Sequence, residues 1–129
     1  MNALLLDTCT FLWIVANAPE LSEKARATFY DLENQVYLSA VSAWEIAVKN
    51  ALGKLPLPDT PEIFVQEQRE LHQIESLPLD ESSTLYLPNL PPIHRDPFDR
   101  MLVCQAIKHD LIILTPDSMI QQYPVKTIW

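Results

Sequence analysis

Glycine is almost missing from this sequence: the 129-residue chain has one, Gly53. That excludes the glycine-rich phosphate loops, both the dinucleotide-binding fingerprint and the Walker type. A phosphate bound here is held by other means. Cysteine is equally scarce. Cys9 and Cys104 lie in apolar contexts, and neither has a second Cys or a His at ligand spacing. A disulfide scaffold and a zinc site are therefore not expected, and a reducing compartment is. Basic residues are few, 9 Lys plus Arg against 17 Asp plus Glu, for a formal net charge of -8. Bulk charge does not draw such a chain to nucleic acid; a phosphate polymer would need a local basic rim or bound cations. Long hydrophobic runs are also lacking. The chain reaches Asp7 after only three leucines, so neither a signal peptide nor a membrane span is expected, and the expected location is cytoplasmic.

The composition, 48% hydrophobic and 20% charged, is that of a folded domain, and the length suits one domain over residues 1–129. Three short apolar runs do not alternate: Ala3-Leu4-Leu5-Leu6, Gln35-Val36-Tyr37-Leu38 and Leu111-Ile112-Ile113-Leu114. Such runs predict strands buried on both faces, as in parallel sheets. Gln73–Leu77 is a weaker strand candidate, and Val125–Trp129 alternates like an edge strand. Helical signals fall between them. Ser22 starts one, with Leu21, Ala25, Phe29 and Leu32 at helical spacing. Ser39 or Ser42 opens a helix with Val41, Trp44, Ile46, Val48 and Leu52 that stops at Gly53. Thr60-Pro61 and Asp96-Pro97 each read as a cap followed by a first-turn proline, and Asp80 caps a short helix. The alternation predicts an α/β domain with a central parallel sheet.

Four acids stand where such a fold binds ligands, beyond the carboxyl ends of strands. Asp7 directly follows the first apolar run and Asp117 lies just past the last. Asp99 falls in the first turn of the helix opened by Asp96-Pro97, and Glu45 in the helix after the second strand. Carboxylates gathered in one crevice repel and take up protons unless a cation compensates. Oxygen ligands favour Mg²⁺ or Mn²⁺, which acidify water and neutralise phosphoryl charge. Each acid also fits a plainer role. Asp7 and Asp117 could cap helices, Glu45 could be a solvated helix position, and Asp99 could complement the positive helix end. Asp96, ahead of Pro97, reads first as a cap.

Four segments, in order, resemble the PIN domain family and more narrowly its VapC-type toxin ribonucleases. They are Leu5-Leu6-Asp7-Thr8 with Leu12-Trp13; Ser39–Ile46 with Lys49 and Gly53-Lys54-Leu55; His94-Arg95-Asp96-Pro97-Phe98-Asp99-Arg100-Met101-Leu102 with Gln105-Ala106; and Leu114-Thr115-Pro116-Asp117. The resemblance implies a single PIN domain, a three-layer α/β/α fold on a parallel sheet of four to five strands, and Mg²⁺- or Mn²⁺-dependent endonucleolytic cleavage of RNA. It also implies a cognate antitoxin, as in type II toxin–antitoxin pairs. Carried over by position, the catalytic acids are Asp7, Glu45, Asp99 and Asp117. Asp7 and Asp99 are the direct metal ligands and Asp96 is an accessory acid. Cys9 after Asp-Thr and Pro116 before Asp117 depart from the pattern, and Pro116 could shift the fourth acid.

Metal-activated water would leave 5′-phosphate and 3′-hydroxyl ends. Thr8, Ser42 and Thr115 lie beside the acids and could bind water or phosphate, or simply cap. Among Lys49, Lys54, Arg95 and Arg100, which cluster near the crevice, Arg95 joins His94 as the best candidate for phosphate contact. Trp13, Trp44 and Phe98 read as core before they read as base-stacking platforms. So few cations suit the shape of a folded RNA, and suit a basic antitoxin tail docking among the acids. Phe11, Leu12, Ile14, Val15 and Phe29 either pack on the sheet or form a homodimer or antitoxin surface. Two other readings compete: a catalytically silent PIN-like binding module, and a metal-dependent phosphatase with Asp7 as nucleophile. A phosphatase of the two-aspartate type would want a second Asp at position 9, where this chain has Cys.

Overall fold

The residues Ala3–Leu6 form the first strand, β1, and its three leucines are inaccessible to solvent. The computed structural model describes the whole chain, Met1–Trp129. Side chains alternate across a strand, so Leu4 and Leu6 enter one apolar layer while Leu5 enters the other. Val36 and Leu38 of β2 (Gln35–Ser39) enter the first layer, and Tyr37 packs against the second. β3 (Glu75–Leu77), β4 (Ile112–Leu114) and β5 (Thr127–Ile128) complete a sheet of order β3-β2-β1-β4-β5 in which every pairing is parallel. The fold is the expected three-layer α/β/α arrangement. The two weaker strand candidates do form, but shortened to residues 75–77 and 127–128.

Six helices flank the sheet: α1 (Thr8–Ala16), α2 (Glu23–Tyr30), α3 (Ala40–Ala51), α4 (Pro61–Leu71), α5 (Glu81–Leu85) and α6 (Pro97–His109). Their starts are set by local side-chain caps. Ser22 accepts from the Ala25 N–H, Ser39 from Val41, Thr60 from Ile63, Asp80 from Ser83, and Asp96 from Phe98 and Asp99. Ser39 rather than Ser42 therefore caps α3. Gly53 follows that helix with φ at 73°, the left-handed turn that glycine adopts without strain.

Phe11 and Ile14 of α1, Ala25 and Phe29 of α2, and Phe64 and Val65 of α4 fill the first layer. Leu102, Val103 and Ala106 of α6 fill the second with Ile120 and Tyr123. Phe11, Ile14 and Phe29 are thus core, and Leu12 and Val15 pack against them while remaining partly exposed. Two expected core positions are outside. Leu32 is 90% exposed because Asp31 ends α2 and turns the chain, its carboxylate accepting from Glu33 N–H. Trp44, on the outer arc of α3, is 58% exposed. No helix is long and apolar enough to cross a membrane.

The sheet order fixes where a site can form. From β1 the chain moves to β2 and β3 on one side, then returns to β4 and β5 on the other. The connections leaving β1 and β4 diverge, and a crevice opens at the carboxyl ends of these two strands.

Candidate active site

Asp7 is the residue after β1 and the N-cap of α1. Its Oδ1 accepts from Thr10 N–H at 2.8 Å, and its Oδ2 accepts from the Thr115 hydroxyl at 2.5 Å. Thr115 follows β4 directly, so this bond clips the ends of the two central strands together. The same hydroxyl oxygen accepts from Asp117 N–H at 3.0 Å. Asp117 in turn accepts on Oδ1 from Met119 and Ile120 N–H at 2.8 and 3.0 Å, which starts the 3-10 turn Ile120–Gln122. Its Oδ2 lies 3.2 Å from His94 Nε2. Pro116 therefore leaves Asp117 facing the crevice.

His94 joins two of the acids. Its Nε2 is also 3.1 Å from Asp99 Oδ2. Asp99 occupies the first turn of α6, placed by Asp96, whose Oδ1 accepts from Phe98 N–H at 2.8 Å and from Asp99 N–H at 3.4 Å. The sequence makes His94 a candidate for phosphate contact; the fold turns it onto the carboxylates. Arg95, its neighbour, is exposed and forms no ion pair with the acids.

Glu45 is buried on α3, not solvated. The Thr8 hydroxyl donates to its Oε1 at 2.6 Å and lies 3.0 Å from the Ser42 hydroxyl. Lys49, one turn on, pairs with its Oε2, and this hydrogen bond raises the Lys49 ammonium above its ordinary value. Thr8, a candidate substrate contact from the sequence, is thus turned onto Glu45.

Charge links these groups. Burial pushes the Asp99 carboxyl up from 3.8 to about 7, and repulsion from Asp96, Asp7 and Glu45 adds to it while His94 opposes it. Burial also raises Asp7, partly offset by donors on Thr10 and Thr115, with Asp117 repulsion adding to the rise. Burial would raise Asp117 too, but the Ile120 N–H, His94 and the Met119 N–H outweigh it and hold the carboxyl low. The exposed Cys9 thiol rises from 9.0 to about 11, through burial of its sulfur and then the charges of Asp7, Glu45 and Asp99. No Lys or Arg pairs with Asp7, Asp99 or Asp117. Carboxylates that are desolvated, mutually repelling and unpaired with Lys or Arg are the donor set a divalent cation neutralises.

One participant, Tyr123, gives no signal in the chain. Tyr123 accepts from His94 N–H at 2.8 Å and from Arg100 Nη1 at 3.3 Å, steadying the loop ahead of α6. Trp44 lies edge-on to Phe98, ring centroids 4.8 Å apart, beside Glu45 and Asp99 in the chain. A cavity of about 750 Å³ lies elsewhere: Ala3, Gln35, Ile112 and Lys126 line it at the amino ends of the strands, opposite the acids.

The model of the PIN domain family matches residues 4–126. The chain belongs to the PIN domain family. Over 69 residues it is 35% identical to ribonuclease VapC16 of Mycobacterium tuberculosis H37Rv, a match covering 54% of this chain and 49% of that protein. The aligned part spans about half the length of that curated relative. Among solved structures, this PIN domain superposes on VapBC2 from Rickettsia felis, bound to a DNA fragment from its promoter, with a TM-score of 0.73 at 12% identity over 98% of this chain and 97% of that one. FitAcB from Neisseria gonorrhoeae gives 0.66 at 23% identity over 98% and 96%, and the DNA-bound VapBC of Salmonella typhimurium 0.67 at 18% over 99% and 98%. At these identities the structural matches establish the fold.

Proposed function

We propose that this PIN domain is an endoribonuclease of the VapC type, dependent on Mg²⁺ or Mn²⁺, and the toxin of a toxin–antitoxin pair. One observation carries the reading. Asp7, Asp99 and Asp117, from three separate stretches of chain, share one electrostatic environment at the sheet's switch point with no Lys or Arg paired to them, and Glu45 adjoins them. The relative named ribonuclease VapC16 supports it.

In this reading Asp7 and Asp99 hold the cation, with Asp117 and Glu45 orienting water or accepting its proton. When bound, a divalent ion neutralises charge on the phosphoryl oxygens and acidifies water. Thr115 fixes Asp7 and Asp117 relative to each other through one hydroxyl, and Thr8 fixes Glu45. Asp96 serves as the cap that aims Asp99 and does not face the phosphate. Exposed Arg95 is left as the phosphate contact. Hydrolysis by water leaves 5′-phosphate and 3′-hydroxyl ends. The PIN domain acts on RNA in the cytoplasm as a homodimer, and a basic antitoxin segment silences it by docking among the acids.

The test is cleavage of cellular RNA by purified protein, with end mapping. Activity that stops with EDTA and returns with Mg²⁺ or Mn²⁺, leaving 5′-phosphates, supports the reading. EDTA-resistant cleavage would point to attack by the RNA 2′-hydroxyl instead. Absence of Mn²⁺ binding at the acids would leave the silent binding module.

A further inference from the structure

His94 Nε2 lies 3.1 Å from Asp99 Oδ2 and 3.2 Å from Asp117 Oδ2. This spacing suits two different roles. Neighbouring ligands on a small octahedral ion at about 2.0–2.1 Å stand about 3 Å apart, so the distances alone would allow imidazole to be a third ligand. They equally suit one N–H shared between two carboxylate oxygens. The other ring nitrogen decides between them. Nδ1 faces the Asp96 N–H at 3.1 Å and accepts from it. A backbone amide can only donate, so Nδ1 carries the lone pair and the ring proton sits on Nε2. A ligating histidine has the reverse arrangement, with its metal-bound nitrogen bare and its far N–H donated to an acceptor. Binding metal through Nε2 here would set an Nδ1–H against the Asp96 N–H.

The ring is engaged at both nitrogens, by the Asp96 N–H and by the two carboxylates. The His94 backbone N–H is held by the Tyr123 hydroxyl at 2.8 Å, and Asp96 is itself fixed as the cap of α6. The residue that aims Asp99 thus also sets the histidine tautomer.

We propose that His94 is a positioning residue of the cation site. Locked as the Nε2–H form by Asp96, it donates a shared hydrogen bond that fixes the spacing of Asp99 and Asp117, and it is not a ligand. The proposal rests on the reading of these acids as a cation site. It means that the site remains oxygen-only although an imidazole lies within ligand distance, so it favours Mg²⁺ and Mn²⁺ over zinc.

The test has two arms. Nitrogen-15 NMR of the histidine rings, in EDTA and then in Mg²⁺ at about pH 8.5, above the usual imidazole range, should show His94 protonated at Nε2 in both. The Mn²⁺-loaded protein should show no directly bonded nitrogen in its electron spin-echo spectrum. A protonated Nδ1, or strong nitrogen coupling to Mn²⁺, overturns the proposal. In the second arm, His94→Leu should weaken Mn²⁺ binding by about tenfold or more, as loss of an outer-shell partner does. His94→Gln, which places an N–H at similar reach, should restore most of it. Equal affinity in wild type and His94→Leu overturns the proposal. A wild-type protein that binds no Mn²⁺ refutes the ribonuclease reading instead, and the tautomer in EDTA still decides the role of His94.

Discussion

Asp99→Asn should stabilise the cation-free protein at neutral pH while abolishing its stabilisation by Mg²⁺. In the fold the Asp99 carboxyl is moved from 3.8 to about 7, first by burial and then by the charges of Asp96, Asp7 and Glu45. A tenfold change in a protonation equilibrium is worth about 1.36 kcal/mol, so ionising Asp99 inside the fold costs on the order of 4 kcal/mol as an upper bound. Its side chain is 17% exposed, which brings the expected effect to roughly 2–4 kcal/mol. The folded state binds this proton more tightly than the unfolded chain. The corresponding stability is complete below about pH 4 and is lost as pH rises to about 7. Urea unfolding in EDTA should therefore show wild type losing roughly 2 kcal/mol through this group between about pH 5 and pH 7.5. The Asn variant, with no charge to desolvate, should lose that part of the slope and exceed wild type at the higher pH. Adding Mg²⁺ at about a hundred times its dissociation constant should return about 2.7 kcal/mol to wild type and almost nothing to the variant. If wild type and Asp99→Asn share one pH profile in EDTA and one response to Mg²⁺, Asp99 is not part of a repelling, cation-compensated cluster.

Asp7→Asn should reduce RNA cleavage to background and leave the unfolding free energy within about 1 kcal/mol, since Asn also accepts at an N-cap; undiminished cleavage would remove Asp7 from the chemistry. Asp96→Ala should cost about 1 kcal/mol by removing the cap that takes the Phe98 and Asp99 N–H groups, with a larger loss in cation affinity read by calorimetry. An unchanged affinity would show that Asp99 needs no aiming. Thr115→Val should cost about 1–3 kcal/mol by leaving the Asp117 N–H without its acceptor, and should weaken Mn²⁺ binding as Asp7 loses its donor. A variant as stable as wild type would mean that this clip between β1 and β4 is dispensable.

The features legible in the chain are those whose cause is local or fully buried. Leu4, Leu5 and Leu6 declare a central strand because both faces of β1 are covered, and Asp96-Pro97 declares a helix start because the cap lies within three residues of what it caps. Strands β3 and β5 are short and take their identity from neighbours, Leu38↔Ser76 and Leu114↔Ile128, which one-dimensional periodicity does not contain. Helical spacing points Leu32 and Trp44 inward, but spacing fixes neither where Asp31 stops a helix nor which arc of α3 the sheet covers. The Thr115–Asp7 bond spans 108 positions and the His94–Asp117 contact 23. Partners chosen by topology leave no mark at either residue alone.

Helix cap and member of an acid cluster look like rival roles for Asp7 and Asp117 in the sequence. In the fold they are the same role, because a carboxylate has two oxygens. Asp7 gives Oδ1 to the Thr10 N–H and Oδ2 to the Thr115 hydroxyl at the crevice; Asp117 gives Oδ1 to Met119 and Ile120 and Oδ2 to His94. The local hydrogen bond fixes the side chain's rotation, and the rotation aims the remaining oxygen. Capping is therefore how a loop residue at a strand end is made rigid enough to serve a site. It follows that alanine at either position removes anchor and charge together and cannot separate them. Asparagine keeps an acceptor for the cap and deletes only the charge, so Asp→Asn variants measure what the crevice does.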